Sequence, residues 1–480
     1  MNANNSAEQN TAIKLNEFRL AKRSFLLIGS NLLKLFVQLS IIYIFSRQLS
    51  FENYALYQSV WLYVNILSVL GLFGLPALLL SSSANDIKQW IFNNKKNFLL
   101  FSCLLNIVPI IYLLFLAKQY TINNTLLLIA VTLFQNLSII AETIAIKNKQ
   151  ETRILVTNII FAAGYFVVHY SILKNGYSLS LILAWLVLIF IIKTLFLWNF
   201  QANNFPKNHQ INTPHLGKQW FLLGLFDVIS TLYKWLDKWL ILLFISITQF
   251  AIYFNGSYEI PIFGLMLGTV GNIMLVELSG KKLNPALNSK ILFHHSAVFL
   301  GSIVFPAFCF LLFFHHDLFL LIFSSKYEAS IPIFFVSIFV LPVRITNFTA
   351  VLQVQHRNDI IIKGALLDLV LAIILLAILY PLWGLKGLAL AFVLSTYMQA
   401  WYYLWHTSIL LKLPIKELLP FKKLGLLMLV CLVIMGLAKY IFLKISYPAN
   451  MIAGIIISIF CAAFFLYLFL NKDIQNKFFN

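Results

Sequence analysis

Residues 22–57 read KRSFLLIGSNLLKLFVQLSIIYIFSRQLSFENYALY. Between Lys22-Arg23 and Arg47 runs an apolar segment of about twenty residues whose only charge is Lys34. A helix of that length crosses roughly 30 Å of hydrocarbon. In lipid only a helix or a closed barrel satisfies its own backbone, and the period-two alternation of a barrel strand is absent. The segment therefore predicts a membrane-spanning helix over 24–46.

Thirteen further runs of this kind follow, at 54–80, 97–117, 122–146, 154–173, 178–200, 219–245, 249–277, 293–323, 331–354, 361–380, 384–410, 422–443 and 449–470. Hydrophobic residues make up 61% of the 480-residue chain, and the mean hydropathy of +0.86 lies far above that of a soluble protein. The expected fold is an all-α polytopic membrane protein. The connections at 81–97 and 199–218 are too short for a soluble domain. The polar segment from Met1 to about Asn16 lacks the apolar stretch of a signal peptide.

The net charge of +19 would suggest nucleic acid in a soluble chain, but its distribution points elsewhere. With the N-terminus placed in the cytoplasm, about 23 of the 35 Lys and Arg residues fall in cytoplasmic segments, and about 7 fall on the opposite side. That asymmetry predicts both termini in the cytoplasm and makes the basic excess a matter of topology, with no nucleic-acid partner. Cys103, Cys309, Cys431 and Cys461 all sit in apolar runs without a CxxC pair, and read as small hydrophobes. The histidine pairs 294–295 and 315–316 lie at span ends and read as interfacial. No metal site is expected.

Residues 218–253, KQWFLLGLFDVISTLYKWLDKWLILLFISITQFAIY, repeat the opening stretch at an ungapped offset of 196. Lys22 falls on Lys218, and Phe25-Leu26-Leu27 on Phe221-Leu222-Leu223. Ser50, Tyr54, Ala55 and Tyr57 fall on Ser246, Phe250, Ala251 and Tyr253. Six spans separate the copies, so both have the same orientation. The predicted organisation is a tail at 1–20, an N-lobe of helices 1–6 at 21–200 and an inter-lobe loop at 201–218. A C-lobe of helices 7–12 follows at 219–411, with two additional helices at 412–472 and a cytoplasmic tail at 473–480. Parallel six-helix halves are a recurrent transporter architecture.

Charges inside spans are costly, about 2.5–3.5 kcal/mol each at mid-bilayer, and mark partners or wet cavities. Span 7 is the richest. Asp227, Thr231, Lys234 and Lys238 share one helix face with Asp237 on its flank, and Lys234 with Asp237 at i,i+3 could pair locally. Lys34 and Asn31 lie in span 1, the repeat setting Asn31 against Asp227, and Arg344 follows Pro342 in span 10. Lys193 is expected to snorkel toward the cytoplasm. Glu142 lies near the end of span 4, open to either an interfacial or a buried reading. Glu259 and Asp368 are deeper, as candidates for a cavity or cation site. Arg47, at the outer end of span 1, reads as an interface anchor or a release-side contact for cargo, the anchor being favoured, and Trp401, Tyr402, Tyr403 and Trp405 read as an interfacial belt. Lys34, Lys234, Lys238 and Arg344 together would suit an anionic head group such as a pyrophosphate. No phosphate-binding loop for ATP is present. A mover of this kind would need no bound cofactor and would couple to Na+ or H+, with Asp227, Asp237, Glu259 and Asp368 as candidate coupling or ordering acids.

Several stretches resemble the multidrug/oligosaccharidyl-lipid/polysaccharide exporter superfamily in its bacterial O-antigen and polysaccharide flippase (Wzx-type) branch. They are SRQLSFENYALYQSVW (46–61) with LGLFGLPALL (70–79), LDKWLILLFISITQFAIYFNGSYEI (236–260), FSSKYEASIPIFFV (323–336), and residues 356–395 with Gly384 and Gly387. Asp368 stands where that family more often has a neutral polar residue. The resemblance implies two six-helix lobes around a central cationic cavity. It also implies a polyprenyl-pyrophosphate-linked oligosaccharide as cargo, moved to the periplasmic leaflet of the inner membrane by alternating access. Polysaccharide polymerase and chain-length proteins would be partners. The competing readings are a peptidoglycan-precursor flippase, a cation-coupled multidrug exporter, and a polymerase or ligase. The last normally carries a large periplasmic loop, which this sequence lacks.

Overall fold

The computed structural model describes residues 33–82, 84–116, 120–148, 150–198, 214–280, 285–355, 357–442 and 448–470. Among these no strand occurs, and ten helices are long and apolar enough to cross a membrane. The chain is a multi-pass membrane protein. Asn31, the terminal tails and most of the inter-lobe loop lie outside the described residues.

The chain divides into two compact units, Met1–Trp235 and Leu236–Asn480. The first contains α1 (33–48), α2 (Phe51–Leu72), α3 (Leu75–Ser81), α4 (Ala84–Asn93) and α5 (Lys95–Leu116). Then come α6 (Ile122–Lys147), α7 (Glu151–Lys174), α8 (Leu179–Leu197) and the start of α9 (Pro214–Phe244). Here α6 packs on α8 and α2, and α7 on α8. A buried aromatic group locks α1, α2 and α7 together. The Tyr57 and Tyr165 hydroxyls lie 2.8 Å apart, and the ring of His169 stacks at 4.0 Å on Tyr165, with Phe45 4.8 Å from Tyr57.

The second unit holds α10 (Ile247–Gly256), α11 (Pro261–Gly280), α12 (Pro285–Phe323), α13 (Ile331–Ser337) and α14 (Ala350–Val354). It continues with α15 (Asn358–Trp383), α16 (Leu385–Leu411), α17 (Ile415–Leu418), α18 (Phe421–Ile441) and α19 (Ala449–Leu470). The 39-residue α12, about 58 Å long at 1.5 Å per residue, is its axis and packs against α18 and α19. Its most apolar window is 72% buried, against 11% for that of α5. Hydropathy alone cannot separate a core helix from a lipid-facing one. Cys309, Cys431 and Cys461 are buried and Cys103 is exposed, all as free thiols.

Three spans expected to be continuous are broken. Span 2 stops at Phe73 and Gly74, both at positive φ (40° and 72°), where Pro76 restarts the chain as α3. Span 8 is interrupted between Gly256 and Pro261. Span 10 starts as α13, turns into a 3-10 helix at Ile338–Val343 containing Pro342, and resumes as α14, with another 3-10 turn at Ser325–Ser330 just before α13. A proline inside a helix removes one hydrogen bond and clashes with the preceding turn. The expected polar connection at 81–97 also contains a helix, α4.

The repeat has a structural counterpart. Ser50 caps α2 by accepting from Asn53 N at 3.2 Å, and Ser246 caps α10 by accepting from Gln249 N at 3.1 Å. Tyr54, Ala55 and Tyr57, like Phe250, Ala251 and Tyr253, are all buried.

Candidate functional site

In the first unit two intramembrane lysines converge on one carboxylate. Lys34 of α1 places Nζ 2.9 Å from Glu142 Oε1, and Lys193 of α8 places Nζ 2.7 Å from Oε2. Asn158 of α7 donates to Oε1 at 3.2 Å, and the Lys193 ammonium lies 4.9 Å from the Phe161 ring centre. Four helices thus meet at one acid with two cations on it, leaving one positive charge in excess. Lys193 does not snorkel. It is 7% exposed, because turning inward gives its ammonium a charged partner that hydrocarbon cannot supply. Glu142 and Lys193 are the functional candidates that sequence reasoning undervalued. The available signal was an acid and a base at similar depth, in the same halves of spans 4 and 6.

Along α9 the polar stripe forms as expected but pairs differently. Asp237 takes Lys238, at 3.3 Å, rather than Lys234. Asp237 is 8% exposed and accepts the Tyr253 hydroxyl at 2.7 Å. It therefore anchors α9 to α10 and orders Lys238, whose ammonium also lies 5.7 Å from the Tyr253 ring centre. Lys234 is exposed, with Nζ 5.7 Å from the Trp235 ring centre. Asp227 and Thr231, on the same face, are partly exposed.

Arg344 leaves the helix altogether. It follows the second 3-10 turn and donates to Glu259 Oε1 at 3.0 Å. Glu259 lies in the break between α10 and α11, so the pair joins two helix interruptions, each beside a proline. Asp368 is fully buried on the face of α15 that packs on α16. Tyr403 is not part of an interfacial belt: it is buried and donates to Ile361 O at 2.9 Å, whereas Trp401 and Trp405 are exposed. Among the described residues no cluster of three or more His, Cys, Asp or Glu could hold a metal.

Each named cation thus has its own partner. Lys34 sits on Glu142, Lys238 on Asp237 and Arg344 on Glu259, while Lys234 lies beside an indole ring.

No protein-family model and no curated protein sequence matches the chain. Solved structures do. The lipid II flippase MurJ, in an inward closed conformation, superimposes with a TM-score of 0.68 at 17% identity, covering 93% of this chain and 98% of that one. The fold is that of the MOP-superfamily transporters. An inward-facing multidrug resistance MATE family transporter of that superfamily gives 0.56 at 12% identity, over 80% and 95% of the two chains. A MATE structure in the bent conformation gives 0.51 at 14% identity, over 82% and 94%.

Proposed function

We propose that this MOP-fold chain is a flippase, not an enzyme. It carries a polyprenyl-pyrophosphate-linked oligosaccharide from the cytoplasmic to the periplasmic leaflet of the inner membrane for O-antigen, capsule or exopolysaccharide synthesis. The observation that carries this reading is the pair of lysines, Lys34 and Lys193, on the single carboxylate of Glu142. An excess cation held in the membrane by a charge network suits an anionic cargo, whereas a cationic drug would favour an acidic site. Lys234, Lys238 and Arg344 extend the set of groups that would engage phosphate and the first sugars. Asp227, Asp237, Glu259 and Asp368 are the acids for ordering those cations or for binding a coupling Na+ or H+. Polysaccharide polymerase and chain-length proteins would act on the delivered cargo.

A second reading, a peptidoglycan-precursor flippase, has the likeness to the lipid II flippase MurJ over 93% of the chain in its favour. Complementation separates the two. The gene should restore surface polysaccharide to a strain lacking its exporter, and the Lys34→Met/Lys193→Met and Lys234→Gln/Lys238→Gln variants should fail while still reaching the membrane. Rescue of a strain depleted of its lipid II flippase, with no rescue of polysaccharide, would decide for the second reading.

A further inference from the structure

The first unit contains a cavity of about 570 Å3 that the charge network does not touch. Its walls are Trp90 of α4, Phe98 and Phe101 of α5 and Trp220 of α9, with Leu100 and Leu104 at the open side. Trp220 packs edge-on against Trp90 and Phe101, with ring centres 5.6 and 5.1 Å apart, so the aromatic wall is a built surface. The volume falls within the roughly 300–1,000 Å3 usual for a small-ligand site.

Polar groups occupy one end only. Asn94 and Asn97 line the cavity at the turn from α4 into α5. Lys95 and Lys96 lie between them in sequence, Lys218 follows the lining residue Gly217, and all three lysines are exposed. From Asn94 to Leu104 the wall descends about 15 Å at 1.5 Å per residue, about half of a 30 Å hydrocarbon core. Leu100 and Leu104, 64% and 51% exposed, face outward on a helix that spans the membrane. The cavity is thus about one leaflet deep, apolar along its length, with exposed lysines next in the chain to its polar end and two tryptophans in its wall, a residue type favoured at the headgroup level.

We propose that this cavity is a binding site for an anionic phospholipid of the bilayer. One acyl chain lies along Phe98, Phe101 and Leu104, and the phosphate sits beside Lys95, Lys96 and Lys218. Basic side chains near an anionic leaflet each add measurable attraction, and the cavity converts that diffuse attraction into a defined position. The site is separate from the cargo-binding cations and does not depend on the flippase reading.

Native mass spectrometry of the full chain, purified in detergent and titrated with phosphatidylglycerol or phosphatidylcholine, tests the proposal. Wild type should bind one phosphatidylglycerol about tenfold or more tightly than phosphatidylcholine. Leu104→Trp, which fills the lower cavity, should remove that tight site. Lys95→Gln/Lys96→Gln/Lys218→Gln should erase the headgroup preference and leave weaker, headgroup-independent binding. Asn97→Trp, at the rim, serves as the second filling variant should Leu104→Trp unfold. Unchanged tight binding in a folded cavity-filled variant would overturn the proposal, as would equal affinity for the two lipids. So would a polyprenyl phosphate that occupies the cavity more tightly than phosphatidylglycerol, which would assign the site to the cargo's tail.

Discussion

Glu142 stands between two lysines, and removing it differs from removing either of them. Glu142→Gln leaves Lys34 and Lys193 facing each other with no anion, and breaking a buried pair from one side costs about 3–5 kcal/mol. Lys34→Met leaves the 2.7 Å Lys193–Glu142 pair intact and should cost much less. The expected order of melting temperature in detergent is wild type, then Lys34→Met, then Glu142→Gln, with Glu142→Gln/Lys193→Met recovering part of the loss. An equal loss for the two single variants would mean that the Lys193–Glu142 pair adds nothing once Lys34 is gone, and would overturn this account. Arg344 and Glu259 invite a charge swap. Arg344→Glu/Glu259→Arg should restore the ion pair and the melting temperature that either single change lowers. Polysaccharide export should not return, because the guanidinium would then sit on the wrong helix break to meet cargo. Full export in the swap would make the pair purely structural.

Among the elements, the break between α2 and α3 is the most sharply determined. A Cβ on Gly74 would strike the backbone of Gly224, and one on Gly224 would strike the Phe73 ring. Phe73 itself holds a left-handed conformation, and such a residue persists only where its surroundings over-determine it. Gly224→Ala should therefore lower stability by about 1–3 kcal/mol through overpacking. By contrast, Gly264 in α11 has open space around it, and Gly264→Ala should raise helix stability by about 0.5–1 kcal/mol. Thermal unfolding of the two variants side by side checks the opposite signs. The two serine caps give a matched pair as well. Ser50→Ala and Ser246→Ala should each cost about 1 kcal/mol, and similar losses at the two sites would support their common origin. Lys147 marks another helix end. Its ammonium lies 2.6 Å from both Leu79 O and Ser82 O, meeting the carbonyls that the end of α3 exposes.

At the scale of the molecule, the charge distribution makes a topological statement that reporter fusions can check. Fusions at Gly176, between α7 and α8, should report the periplasm, and fusions at Asn94, between α4 and α5, the cytoplasm. The reverse pattern would invert the direction of transport assigned to the chain. Which segments span was legible beforehand, because membrane insertion reads local properties. Length and hydropathy of a segment set whether it spans, and flanking lysines set how it orients. The broken spans escaped that reading because hydropathy averages over about twenty residues and passes smoothly across Phe73-Gly74 or Gly256–Pro261. A helix break is a matter of one or two dihedral angles. Lys193 was misplaced for a related reason. Snorkelling is the default for a lone lysine, and what overrode it was a carboxylate 51 positions away in the chain.

Apolar segment length, the asymmetry of lysine and arginine, and the repeat of residues 22–57 at 218–253 are properties of neighbours along the chain. They were enough to establish an all-helical membrane protein, and they predict a duplication whose two copies share one orientation. The partner of each buried charge belongs to another order of information. Glu142 with Lys34 and Lys193, Asp237 with Lys238 and Tyr253, and Arg344 with Glu259 are chosen by which helix faces meet. A charge within hydrocarbon is tolerable only where packing delivers its counter-charge to within about 3 Å, and only the folded chain decides where that happens.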